Sequence, residues 1–256
     1  MMGIPLLAII SGLMTIGVRL SGLMLFAPFF GGAVIPARIK AGLVLSLTLL
    51  LFPTVGKNIG AYSLTDWPIM IFTEFLVGVG MGLATNIVFE ATALAGQVLG
   101  VQMGYSLVNI LDPQTQVDTT VIPLFYQTMV MLLFLRMDVL YWLLKAVGNS
   151  FLYLPPGTTH LSGLFTESVI TTGGQMFGLG VQIAAPVLSA TLVTDILLGL
   201  LGKASATMPL IVLGPAIKSL LGIAILVATL KYWPDLFHHL FEDSVANGEH
   251  LLHLAR

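Results

Sequence analysis

The sequence predicts an all-α membrane-type protein, and three observations carry that prediction. Of 256 residues, 57% are hydrophobic and only 9% charged, where soluble domains run near a quarter charged. The mean hydropathy is +0.99. About six long apolar stretches follow one another, several interrupted by Pro or Gly, and a helix needs roughly 20 such residues to cross a hydrocarbon core. A water-soluble fold cannot hide this much apolar side chain, so lipid or partner proteins must cover it. The net charge of −2 argues against a nucleic-acid partner, which favours a basic face. Cys is absent, which excludes disulfides and thiolate chemistry and leaves the redox compartment open.

The elements follow in order. The opening MMGIPLLAIISGLMTIGV has no basic residue ahead of its apolar run, so it reads as a retained helix rather than a cleaved signal. That helix spans about Ile4 to Phe26 and breaks at Ala27-Pro28 and Gly31-Gly32. A short basic turn follows at 36–40, then a charge-free stretch over 41–56 that stops at Pro53. Thr65-Asp66-Trp67-Pro68 reads as a cap with Pro in the first turn. The apolar run from there to about Met103 would reach about 50 Å as one straight helix, well beyond a core of about 30 Å. It therefore either breaks at its glycines or projects from the bilayer.

Residues 122–135 are uncharged, and Arg136, Asp138 and Lys145 then fall in what reads as one helical run. A loop at Pro155-Pro156-Gly157 precedes an uncharged run over 168–194, interrupted by Gly173-Gly174 and Pro186 and ended by Asp195. Pro209 and Pro215 bracket a broken stretch before a last apolar helix at about 216–232. The chain reads as one domain over 1–256, with 233–256 a polar, amphipathic tail in which Leu236, Phe237, Leu240 and Phe241 with Trp233 can lie along a membrane surface. Loop charges do not orient the spans: Arg38, Lys40 and Lys203 favour one side, Lys57 and Lys231 the other.

Ionisable groups inside apolar runs are costly, so each needs a reason. The candidates are Arg19, Glu74, Glu90, Asp195 and Lys218. Arg19 and Lys218 can pair with Glu74, Glu90 or Asp195 to fix how helices or subunits fit; a proton or ion relay is the sharper alternative. Glu74, Gly78, Gly82, Asn86 and Glu90 recur every four residues. Each step of four overshoots a turn by about 40°, so the row winds and its two acids cannot form one site. Gly96, Gly100 and Gly104 make a tighter stripe, as do Gly174 and Gly178. Small residues at this spacing let membrane helices approach closely, within one chain or between chains. His250 and His253 have i,i+3 spacing but no carboxylate–His signature, so no metal is expected. No P-loop, H-E-x-x-H or G-x-S-x-G occurs, nothing suggests an enzyme, and no cofactor is expected.

Between the glycine stripe and the next apolar run lies GYSLVNILDPQTQVDTT at 104–120, polar, with two Asp and no Lys or Arg. By itself it reads as an ordinary exposed loop. Non-helical backbone at membrane depth is tolerated only where protein or a water-filled lumen surrounds it.

Five blocks in sequence resemble the FliR family of flagellar biosynthesis proteins and their virulence-secretion counterparts. They are RLSGLMLFAPFFGGAVIPARIKAGLVLSLTLLLFP (19–53), FTEFLVGVGMGLATNIVFEATALAGQVLGVQMG (72–104), DP (112–113), NSFLYLP (149–155) and LGPAIKSLLG (213–222). Two details depart from that family: Arg136-Met137-Asp138 stands where a small polar turn with His is usual, and Met208-Pro209-Leu210 where Asn is usual. The resemblance implies a core subunit of the type III secretion export gate. Such subunits assemble as helical hairpins with FliP and FliQ, one copy among several, with FlhB and FlhA nearby, in the bacterial inner membrane at the flagellar basal body. Unfolded exported proteins pass through, and part of the assembly stands above the membrane plane. The resemblance also implies that Ser106, Leu107, Val108, Asn109, Ile110, Leu111, Asp112, Pro113, Gln114, Thr115 and Gln116 belong to a pore plug. The rival readings are a stand-alone permease for a small solute, which broken helices and intramembrane acids also suit, and a membrane scaffold without a pore.

Overall fold

The structure, a computed structural model, describes residues 6–28, 30–31, 35–56, 59, 62, 65–105, 121–158, 163–204 and 210–254. Among them are eight α-helices: α1 (Leu6–Phe26), α2 (Ala37–Val55), α3 (Trp67–Gln102), α4 (Val121–Arg136), α5 (Val139–Tyr153), α6 (Gly163–Ala204), α7 (Leu210–Thr229) and α8 (Trp233–Leu254). A 3-10 turn, Leu230–Tyr232, joins the last two. Five helical stretches are long and apolar enough to cross a membrane, and Val121–Arg136 is a shorter sixth, which matches the six expected.

Several punctuation marks in the sequence fail to interrupt a helix. α3 runs unbroken for 36 residues through Gly78, Gly80 and Gly82. α6 runs for 42 residues through Gly173-Gly174 and Pro186; α2 passes Pro53 and α7 passes Pro215. In an apolar medium a broken helix would leave backbone groups without partners, so continuity wins over intrinsic propensity. The basic turn is likewise helical from Ala37 onward. Pro36 stands outside as N-cap, and its carbonyl accepts from the amides of Ile39 and Lys40 at 2.9 and 3.2 Å. The reverse error occurs at 136–138. The expected single run splits there, because Asp138 adopts φ 54°, ψ 31°, the left-handed region that Asp tolerates better than most side chains.

Several hydroxyls inside the apolar helices are satisfied by their own helix. Thr15 Oγ1 donates to Ser11 O, Ser21 Oγ to Gly17 O, Thr92 Oγ1 to Val88 O and Thr194 Oγ1 to Ala190 O, at 2.6–2.9 Å. This i−4 pattern removes the cost of carrying Ser and Thr where no water is available.

The chain divides into two compact units. The first comprises Met1–Ile87, Phe134–Gly173 and Leu240–Arg256, with Ile16, Leu20, Leu23, Leu143 and Val147 fully buried. The second comprises Val88–Leu133 and Gly174–His239; there Tyr126 and Trp233 pack at 4.8 Å between ring centroids, and Phe237 joins Trp233 at 5.6 Å. Helices α3, α4, α6 and α8 contribute residues to both. The expected surface-lying tail is instead a helix whose Trp233, Phe237 and Phe241 are buried in the protein. Phe241 packs edge-on to Phe134 at 5.7 Å, and His253 stacks on Tyr153 at 4.3 Å. Large apolar area remains uncovered on α2, whose one buried residue is Thr48, and on α6 at Ile170, Phe177, Val181 and Ile196.

Candidate functional site: two ion pairs and their glycine seams

In the first unit the row Glu74, Gly78, Gly82 forms the seam between α3 and α1. A Cβ on Gly78 would collide with the Arg19 carbonyl oxygen, and one on Gly82 would come within 2.9 Å of Leu23 O. From the other side, a Cβ on Gly22 would collide with Phe75 O. Only glycine allows this approach, as small residues do between membrane helices. The approach brings the Arg19 side chain to the acid one turn earlier on α3. Arg19 Nη2 and Glu74 Oε2 are 2.6 Å apart, Nε donates to the same oxygen at 2.7 Å, and neither side chain is exposed.

The rest of the guanidinium is spent on the end of α5. Nη1 donates to Ser150 Oγ at 2.7 Å, Nη2 donates to Leu154 O at 3.2 Å, and the group lies 3.8 Å from the Phe151 ring centroid. Ser150 in turn donates to Val147 O at 2.6 Å. One buried cation thus ties α1, α3 and α5, and all five guanidinium N–H groups sit in a fixed fork that suits such a role. The turn after α5 is held too: Tyr62 Oη donates to Pro156 O at 2.7 Å, and Gly157 turns at φ +77° beside the Tyr62 ring. Burial pushes the Tyr62 phenol above its ordinary value; the Glu74 charge adds to that push and Arg19 opposes it. The phenol therefore stays neutral and able to donate. Farther along the every-four row, Glu90 is exposed, as the 40° overshoot per step requires.

In the second unit Asp195 is the hub. Lys218 Nζ lies 2.9 Å from its Oδ1, and Gln102 Nε2 donates to its Oδ2 at 2.7 Å. This pair is open, with side chains 17% (Lys218) and 42% (Asp195) exposed. Nearby glycines again mark close approach. A Cβ on Gly96 would stand 2.7 Å from Pro123 Cα. Gly104 has φ +89° and faces Pro215, where a Cβ would stand 2.7 Å from the Pro215 Cβ. Gly100 is buried. Tyr105 and Ser219 hydroxyls lie 2.8 Å apart. Gly174 and Gly178 differ: a Cβ at either would meet nothing within 4 Å, so among the described residues they pack no helix of this chain.

Each predicted cation thus has an acid, in the pairs Arg19–Glu74 and Lys218–Asp195. Sequence reasoning did not find Ser150, Phe151, Gln102, Tyr105, Ser219 or Gly22. Ser150 and Phe151 lie in the NSFLYLP block, but nothing in the spacing connects that block to Arg19 over 131 residues. The residues expected to form a plug, Ser106–Gln116, lie outside the described residues.

Comparison with known proteins supplies the context. The family model for bacterial export proteins, family 1, matches residues 10–244. The chain is 28% identical to the flagellar biosynthetic protein FliR of Pectobacterium carotovorum subsp. carotovorum, covering 88% of this chain and 87% of that protein. It is 25% identical to the FliR of Escherichia coli K12, over 88% and 86%. It is 23% identical to the secretion system apparatus protein SsaT of Salmonella typhimurium, over 89% and 88%. These matches give no support to the stand-alone permease. With residues 10–244 matched end to end, an all-helical architecture and apolar helices of membrane-spanning length, the chain belongs to the bacterial export proteins, family 1, the family of type III secretion export-gate subunits.

Proposed function

We propose that the chain is a core, non-catalytic subunit of the gate in the bacterial inner membrane, at the flagellar basal body or a virulence counterpart. In this reading it assembles in one copy with FliP and FliQ, near FlhB and FlhA, around a path for unfolded exported proteins. The observation that carries the reading is the family match over 10–244. The uncovered apolar surface supports it. The α6 face that exposes Ile170, Phe177 and Val181 also presents Gly174 and Gly178 without close neighbours among the described residues, the composition a partner helix packs against.

Residues 106–120 act in this reading as the plug. Leu107, Val108, Ile110 and Leu111 seal a dry contact; Asn109, Asp112, Gln114, Thr115 and Gln116 face a wet vestibule; Pro113 keeps Asp112 extended and stops any helix. The stem before this segment supports the reading, since Gly104 turns against Pro215 and Tyr105 bonds Ser219. A packing role for the charges follows: Arg19–Glu74 and Lys218–Asp195 fix how helices fit rather than relay protons, as each cation is spent on an acid.

Two experiments test this. Native mass spectrometry of the chain co-expressed with its neighbouring export genes should give a discrete hetero-oligomer holding one copy; a monomer or homodimer indifferent to those partners would refute the assignment. Deleting 106–120 should raise ion leakage through the assembled gate in vesicles, and unchanged leakage would remove the plug.

A further inference from the structure

In the second unit, the end of α3 is closed by its own backbone before the chain leaves it. The amide of Gly104 donates to Val101 O and that of Tyr105 to Gly100 O, both at 3.0 Å. With Gly104 at φ +89°, this is a Schellman motif, which satisfies two carbonyls of the last turn and fixes where the next residue points. Any side chain at 104 would be strained in that conformation. Residues 102–105 therefore form one stiff piece, and whatever holds that piece sets the direction of the chain beyond Tyr105.

One face of α7 holds it. Pro215, Lys218, Ser219 and Gly222 fall at i, i+3, i+4 and i+7, within an arc of about 100°. Each answers a different residue of the α3 end. A Cβ on Gly104 would stand 2.7 Å from Pro215 Cβ, and one on Gly222 would stand 2.7 Å from Cε of the buried Met103. The Tyr105 and Ser219 hydroxyls are 2.8 Å apart. Gln102 and Lys218 take one oxygen each of Asp195, at 2.7 and 2.9 Å. Away from this face α7 exposes Leu213, Ile217 and Leu220. We propose that the 215–222 face of α7 is the seat that fixes how the chain leaves α3, with Lys218 as its positioning residue. Lys218 ties Asp195, and through it Gln102, to α7. It is also the part of the seat that water reaches, and so the part that yields first. A shift of α7 is then carried into residues 106–120, a consequence that rests on the plug reading above.

Amide hydrogen exchange on the full-length chain in mild detergent reads the seat directly. Lys218→Met should speed exchange at Met103, Gly104 and Tyr105 about two- to fivefold, the weight of an open ion pair. Lys218→Arg should return it to the rate of the unaltered chain. Gly222→Leu, which drives a side chain into Met103, should speed it about tenfold. Exchange over 74–87, in the other unit, should not change and serves as the control for folding. Unchanged exchange at 103–105 in both Lys218→Met and Gly222→Leu would overturn the seat, and a Lys218→Arg variant as fast as Lys218→Met would remove Lys218 from it. Ion leakage through the assembled gate separates this from the plug. Leakage raised both by Lys218→Met and by deleting 106–120 supports the seat and its consequence. Leakage raised by the deletion alone, with exchange at 103–105 increased in Lys218→Met, would overturn the positioning role. A deletion that does not leak removes the plug, and the seat then stands or falls on the exchange rates.

Discussion

The two ion pairs make an informative contrast. Arg19–Glu74 is sealed, with no exposure of either side chain, while Lys218–Asp195 is 17% and 42% exposed. Both join distant helices at comparable distances. The sealed pair lies beside the guanidinium's bonds to Ser150 and Leu154 and beside glycines that allow no added atom; the open pair is partly solvated. Burial therefore decides what each is worth. An isolated charge left in the sealed site has nowhere to find solvent, whereas one left in the open site does.

The largest effect expected from that contrast is at Arg19. Arg19→Ala should strand the buried Glu74 carboxylate and cost about 3–5 kcal/mol, read as a large fall in thermal midpoint in detergent. The double variant Arg19→Met with Glu74→Leu should recover most of the loss, because a packed apolar pair replaces a buried ionic one at little cost. A double variant as unstable as the single one would mean that the contacts with Ser150 and Leu154, not the charge pair, hold this site. Next comes the seam itself. Gly78→Ala drives a Cβ into the Arg19 carbonyl and should cost about 1–3 kcal/mol by forcing the helices apart. Gly174→Ala meets nothing and should stabilise the isolated chain by about 0.5–1 kcal/mol through helix propensity. Equal effects at the two positions would erase the distinction between an internal seam and an open face. Gly174→Leu sharpens it further, since a loss of hetero-oligomer with the chain still folded would locate a partner on α6. The smallest effect is at the open pair: Asp195→Asn should shift stability by no more than about 1 kcal/mol, within a few degrees in the same melting experiment.

The contrast also explains how much was legible beforehand. Composition alone dictates helices, because a backbone out of water must satisfy itself. The every-four row on α3 carries the close approach at Gly78 and Gly82, and its drift of about 40° per step leaves Glu74 buried and Glu90 exposed. Punctuation residues misled. Gly173-Gly174, Pro186 and Pro215 read as breaks and are helical, since leaving the helix would strand more backbone groups than one proline does. Asp138, with no break residue beside it, ends one helix and starts another. Its left-handed backbone is a local choice that no periodicity records.

What the sequence determined by itself is therefore the medium and the inventory: an all-α chain for an apolar environment, a small set of intramembrane charges, and glycines placed for close packing. Only the tertiary structure decided the pairings. Arg19 had three acids available by charge, and Glu74 was selected because Gly78 brings the α1 backbone against α3 one turn away. Asp195 found Lys218 and Gln102 because α3, α6 and α7 supply them at one place. Charge is a property of a residue and can be read along a line; distance and burial are properties of neighbours, and those exist only once the helices have packed.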